Sequence, residues 1–437
     1  MIEKGSFFKL EDHIPFSSKE MSDKYKNGGL TLTFGKTKIN YVEGMCVGGG
    51  SEINSGLYHR LPNEILKKWE KKNNIQFDRK FLHDSYDQNE IDLSISYYNG
   101  KIPKASQKLI EGSESLGWKC VEIPRWYKYN DELGVKQSMT QTFIPKFIEN
   151  GGTLLTNTEV KKISKNGKSN IVHVISDGVL SNYECDFLFI SAGSIDTPFL
   201  LRKSGFKGLV GKGLKTHPSF KLTAMFDEEI YSSRDEVSVH QIKEFSPEIS
   251  MGCSVSNEHY LGMSLNDSNK LSEISNWKRM SSFYAMISPE GSGNVWKMPF
   301  FNSPFINYSL TSKDYYNIHK GIYLLSKLLF EAGAIRLFPS GNKIESICKL
   351  EDVYKINNIS PNLLKLMTIH LFSSVQLSGS REIGPINIDG YLWDDDSIYI
   401  NDGSILVDSP SVNPQGIIMA LSRMNVLKFL NRIKNEV

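Results

Sequence analysis

Several common signposts are missing from these 437 residues. Five cysteines (Cys46, Cys120, Cys185, Cys253, Cys348) stand far apart with no CxxC pair, which excludes a zinc knuckle or a disulfide framework and fits a reducing compartment. No metal is expected. No apolar run approaches the roughly 18 residues that would cross a bilayer. The first residues, MIEKGSFFKLEDH, carry acids where a secretory leader needs a basic-then-apolar pattern, so a cytoplasmic location is expected. Charge of one sign is not in excess. Fifty-one basic against 49 acidic side chains leave +2, against both a nucleic-acid footprint and a solvating acidic tail. Internal repeats, low-complexity tracts and Pro/Ser-rich linkers are absent too. What remains is a chain with 40% hydrophobic residues, too apolar for general disorder and long enough for about two or three domains.

Local patterns place a few elements. LPNEILKKWEKKNN predicts a helix with Asn63 as its N-cap and Ile65, Leu66 and Trp69 on one face. Residues 153–163 and 170–176, with Asn166-Gly167 between them, alternate as a strand pair. In ECDFLFISAGSIDTPFLLRKSG, Phe187 to Ile190 are continuously apolar, as in a strand buried on both faces. Ala192-Gly193 makes the turn, Asp196 or Thr197 can cap, Pro198 suits a first helical turn and Gly205 ends the helix. From about 218 to 360 the chain is rich in Ser, Asn and aromatics with weak alternation, broken by one clear helix, HKGIYLLSKLLFEAG. A strand at SIYIND and a helix from about Pro414 to Arg432 return to α/β style.

Three clusters carry chemistry. In EGMCVGGGSEINSGLYHRLP, three glycines before Ser51 and Asn54 let backbone N–H groups approach a ligand, although a lone triplet is usually an ordinary turn. The SAGS turn exposes backbone after a buried strand. In INDGSILVDSPSVNPQGIIMAL, Asp402-Gly403-Ser404 follows a strand and Asn413-Pro414 opens a helix whose N-terminus can face an electron-rich group. Together with GKGLKTHP, the order and spacing of these motifs resemble the glucose–methanol–choline (GMC) family of FAD-dependent oxidoreductases, nearest the branch of cholesterol oxidase and the long-chain alcohol oxidases.

That resemblance implies an α/β fold: a Rossmann-like FAD-binding domain over residues 1–60, 140–217 and 376–437. An α+β substrate domain on an antiparallel sheet is inserted over 61–139 and 218–375. It implies FAD contacts from Glu3, Gly48, Gly49, Gly50, Ser51, Asn54, Val160, Ala192, Gly193, Asp402, Gly403, Asn413 and Pro414. Two departures stand out. The family's GxGxxG loop, which holds the FAD pyrophosphate, occurs nowhere, and MIEKG looks like the family's second strand. A sheet lacking the preceding strand would leave unpaired backbone edges, so a separate polypeptide carrying strand, GxGxxG and helix is a candidate partner. Where the family places its general base, counting back from Gly379-Ser380 finds Gln376, which cannot take a proton at neutral pH. His370, six residues earlier, can serve as base, or can be a structural strand histidine. His59 and His217 read as polar turn residues. The implied activity is oxidation of the CH–OH group of an alcohol, polyol or sugar by hydride transfer to flavin N5, with Asn413 orienting the hydroxyl. The alternative is an inactive scaffold or subunit of the same lineage that needs the partner chain.

Overall fold

The apolar run before Ser191 forms the strand Leu188–Ile190, which pairs in parallel with Asp395–Ile400. Tyr391–Leu392 adds antiparallel on the far side, and the other edge of Leu188–Ile190 carries no strand among the described residues. Those residues are all but 131–133, 232–238, 268–269, 342–343, 358, 360 and 437 of the computed structural model. Near the N-terminus, Ile2 bridges Leu155 in parallel and Glu3 N donates to Leu155 O at 2.8 Å.

The following helix runs Gly193–Lys203, so it begins before the expected caps Asp196 and Thr197. Pro198 therefore lies inside it and cannot donate to the Ser194 carbonyl. Ser374 Oγ takes that place, donating to Ser194 O at 2.6 Å. The expected strand pair is a three-stranded antiparallel sheet: Thr158–Asn166, Ser169–Ser176 and Val179–Cys185. Its third strand is exposed on both faces along almost its whole length, which is why it left no hydrophobic pattern.

The stretch of weak alternation builds most of a nine-stranded, largely antiparallel sheet. Its path is Thr31–Leu32, Ile39–Tyr41, Leu366–Thr368, Ser219–Phe226, Met280–Ile287, Ile249–Cys253, His240–Ile242 and Cys120–Glu122, with Ala334–Pro339 also on Ser219–Phe226. Helices Lys104–Leu116 and Ser312–Glu331 pack on it and on each other. The second starts at Ser312 behind a capping box between Thr311 and Asp314, seven residues before His319, where the sequence pattern starts it. Phe283, Ala285 and Ile287 face the core beneath these helices, whereas Tyr284 reaches Gln241 on the opposite face. Because both faces are covered, Met280–Ile287 is almost wholly buried and shows no alternation.

Two large hydrophobic cores result, with two smaller clusters around Leu261 and Trp126. One lies between the nine-stranded sheet and its helices. The other gathers Ile190, Leu200 and Leu201 with residues 372–424 and with Leu61, Ile65, Leu66, Trp69, Leu82 and Tyr86. The helices Asn63–Asn73 and Arg79–Asp92 thus pack with the C-terminal helix Gln415–Glu436.

Candidate active site

Gly48 and Gly49 adopt φ of 89° and 53°, a region that disfavours any residue with a Cβ. Ser51 Oγ locks the turn by donating to Gly48 O (2.7 Å) and accepting from Met139 N (3.0 Å). Asn54 Oδ1 accepts from Gly56 N at 2.9 Å. Side chains added at Gly49 or Gly50 would meet no atom within 4 Å, so this backbone faces open space. Glu52, not singled out from sequence, anchors the turn from behind: its carboxylate accepts from Ser138 Oγ (3.0 Å) and from Thr140 Oγ1 (3.0 Å). Lys136 donates to the Glu52 and Asn54 carbonyls at 2.7 and 2.9 Å, and burial pushes its ammonium down to about 8.

The SAGS turn lies beside this one. The intervening Glu43-Gly44 touches both: a Cβ on Gly44 would stand 2.4 Å from Gly49 O, and one on Gly193 would stand 3.7 Å from Glu43 Oε1. Gly193 N donates to Asp402 Oδ2 (2.9 Å), Thr197 Oγ1 to the same oxygen (2.5 Å) and Ser404 N to Oδ1 (2.8 Å). The Asp402 carboxylate is thus occupied within the chain, leaving backbone as the route by which residues 402 and 403 can meet a ligand. Burial raises the Asp402 carboxyl above its ordinary range against the pull of those donors. Ala192 N donates to Thr197 Oγ1, while the buried Ser373 and Ser404 hydroxyls have no partner. Glu3 keeps one oxygen on Gly5 N at 2.7 Å, and Val160 is half-buried against the second core. An open glycine backbone together with orphaned hydroxyls fits a long ligand with polar groups along its length, as FAD is.

The third group is assembled from distant segments. Asn413 Nδ2 lies 3.4 Å from His370 Nε2, and Gln241 Nε2 donates to Asn413 Oδ1 at 3.3 Å and to Tyr284 OH at 2.9 Å. His217 packs edge-on against His370 with ring centroids 5.4 Å apart, its Nε2 2.6 Å from Ser409 Oγ. Burial pushes His370 down to about 4. Burial first, then the neighbouring Lys243 and His370, hold His59 well below its ordinary value against a hydrogen bond with Gln241; burial, then His370 and Lys243, do the same for His217. His217 is fully buried and His59 half-buried, and both lie outside helices and strands, as the sequence suggests. The His59 carbonyl lies where a side chain on Gly416 would go, at 2.1 Å, which ties it to the start of the C-terminal helix beyond Pro414. Gln376 stands apart, donating to Gly213 O at 3.3 Å. Gln241, Lys243 and Tyr284 carried no sequence signal, because only the pairing of the large sheet brings them here.

Known proteins resemble this chain along most of its length. The family model described as GMC oxidoreductase matches residues 21–219. An uncharacterised GMC-type oxidoreductase of Sinorhizobium fredii is 32% identical, the match covering 97% of this chain and 88% of that one. A long-chain-alcohol oxidase of Arabidopsis thaliana is 24% identical over 100% of this chain, which spans 64% of the plant protein's length. Among solved structures, pyridoxine 4-oxidase from Mesorbium loti superimposes with a TM-score of 0.75 at 13% identity, covering 98% of this chain and 94% of that one. Formate oxidase of Aspergillus oryzae gives 0.75 at 14% identity, covering 99% and 94%. With identity sustained along nearly the full length of the bacterial relative, and the glycine turn, SAGS and NDGS segments gathered in one place, the chain belongs to the GMC oxidoreductases, enzymes whose cofactor is FAD.

Proposed function

We propose that this oxidoreductase acts on the CH–OH group of an alcohol, polyol or sugar, with His370 receiving the hydroxyl proton and Asn413 orienting the oxygen. The observation that carries it is the chain of amides ending on His370 Nε2. Gln241 directs both N–H bonds of its amide outward, one to Tyr284 OH and one to Asn413 Oδ1. Asn413 is thereby turned so that its NH₂ faces His370, and His370 Nε2 must present a lone pair to it. A hydroxyl entering between them accepts from Asn413 and donates to His370. Burial keeps the imidazole neutral at pH 7 and therefore ready to accept.

FAD, held by Glu3, the backbone of Gly48 to Ser51, Asn54, Val160, Ala192, Gly193 and the 402–403 backbone, supplies the hydride acceptor when bound. The start of the C-terminal helix at Pro414 favours negative charge nearby. The naming of the plant relatives as long-chain-alcohol oxidases supports an alcohol substrate. A panel of alcohols, polyols and sugars assayed with an artificial electron acceptor tests the reading. His370→Ala should lower kcat about a hundredfold or more while the flavin spectrum persists. Full turnover by that variant would overturn the assignment, and Gln376→Ala should turn over like the parent.

A further inference from the structure

We propose that the substrate is an alcohol that also carries a carboxylate, and that Lys243 binds this group; the inference rests on the alcohol-oxidation reading above. Lys243 follows the strand His240–Ile242, and its backbone N–H continues the ladder to Lys119 O at 2.9 Å. In an extended chain residues two apart share a face, so Lys243 projects on the side of Gln241, whose amide reaches Asn413. Its charge also helps to hold the His59 and His217 imidazoles unprotonated.

What sets Lys243 apart is its lack of a counter-charge or of several acceptors. Other lysines withdrawn from solvent have one or the other: Lys24 pairs with Glu20 at 2.9 Å, Lys26 with Glu43 and Asp196 at 3.0 and 2.8 Å, and Lys215 with Asp408 at 3.5 Å, while Lys136, without an ion pair among the described residues, donates to two carbonyls. Lys243 donates to Ser250 Oγ at 3.0 Å and forms no ion pair among the described residues. Burial alone acts on it, pushing it down to about 8. An ammonium has three donors, and a buried cation without an anion is costly, so a site that keeps one is built for a charge that arrives with the ligand. The surrounding wall is polar as well. Nδ1 of His217 is buried without a hydrogen-bond partner, and the His59 ring and Gln241 Oε1 have little beyond each other, so a purely aliphatic tail would leave this wall poorly satisfied. A single cation matches the single charge of a carboxylate rather than the two of a phosphate monoester.

Matched pairs decide the matter: ω-hydroxy acids from glycolate to 6-hydroxyhexanoate, each against the diol of equal length. The parent enzyme should prefer the best acid over its diol by about tenfold or more in kcat/KM, and Lys243→Met should lower that ratio about a hundredfold, with Lys243→Arg between them. Independently of turnover, unreactive carboxylates from acetate to hexanoate should raise the melting temperature of the parent and not of Lys243→Met. A preference for diols in the parent, an unchanged ratio in Lys243→Met, or carboxylate stabilisation that survives the substitution would each overturn the proposal. Turnover of neither acids nor diols, with Lys243-dependent carboxylate stabilisation intact, would instead overturn the alcohol-oxidation reading and leave the anion site standing.

Discussion

Asn413 draws its orientation from Gln241, a residue 172 positions away in sequence. Removing its amide should therefore affect chemistry more than folding. Asn413→Ala is expected to retain the flavin spectrum and lose about a hundredfold in kcat/KM, in line with loss of a positioned donor to a reacting oxygen. Gln241→Leu, which meets no reacting atom in this scheme, should lower kcat about tenfold because Asn413 then loses its fixed orientation. The pH dependence follows from His370. A base must be unprotonated, and His370 takes up its proton only as pH falls through about 4. On a neutral alcohol, kcat/KM should be level from pH 6 to 7 and decline only toward pH 4, and an acid limb near 6.5 would show that another group is the base. From sequence, His370 and Gln376 compete for this role on spacing alone. Spacing counts residues along the chain, whereas the support for His370 comes from across it, in its 3.4 Å approach to Asn413.

At the level of elements, the strand–turn–helix from Leu188 to Lys203 was legible because its signals are local: an apolar run, a glycine turn, a proline and a closing glycine. The start of the helix was not. It is set by Asp402, whose carboxylate holds Gly193 N and Thr197 Oγ1 across more than 200 residues of chain. Asp402→Ala would strand three donors at once, and should cost about 2–4 kcal/mol in denaturant unfolding. Ser374→Ala removes the hydroxyl that serves the Ser194 carbonyl left bare by Pro198, and is expected to cost about 1 kcal/mol. Equal stability of the Ser374→Ala variant would mean that the helix tolerates the gap without help. The helix Ser312–Glu331 shows the same limit in milder form, since its apolar stripe was visible while its Tyr-rich first turns depend on the Thr311–Asp314 cap.

Across the whole molecule, a family of motifs in order was enough to anticipate an FAD-binding part and an inserted sheet domain, but not the strand order of that sheet. Met280–Ile287 is covered on both faces and has no alternation to read, and its neighbours come from segments as distant as Ile39–Tyr41 and Leu366–Thr368. The buried histidines have a consequence for global stability. As pH falls below about 6.5 the unfolded chain binds protons that the native chain refuses, so the histidine contribution to stability declines until the native pKa is reached. For His370 that window closes near pH 4, and the loss can reach about 3 kcal/mol. His370→Gln should flatten the acid side of the melting curve relative to the parent, and parallel curves would show that His370 takes up its proton as readily in the folded protein.

The cluster also draws on both cores. Asn413 and His59 belong to the part that packs around the C-terminal helix, while Gln241, Lys243, Ser250 and Tyr284 ride on the large sheet. On the proposed assignment, Asn413, which orients the hydroxyl, and Lys243, which selects the substrate, stand on different structural units. Substitutions along one sheet face, at positions such as 243 and 250, can retune which molecules are accepted while the reacting pair stays where it is. A lineage using this scaffold can diversify its diet without reinventing its chemistry.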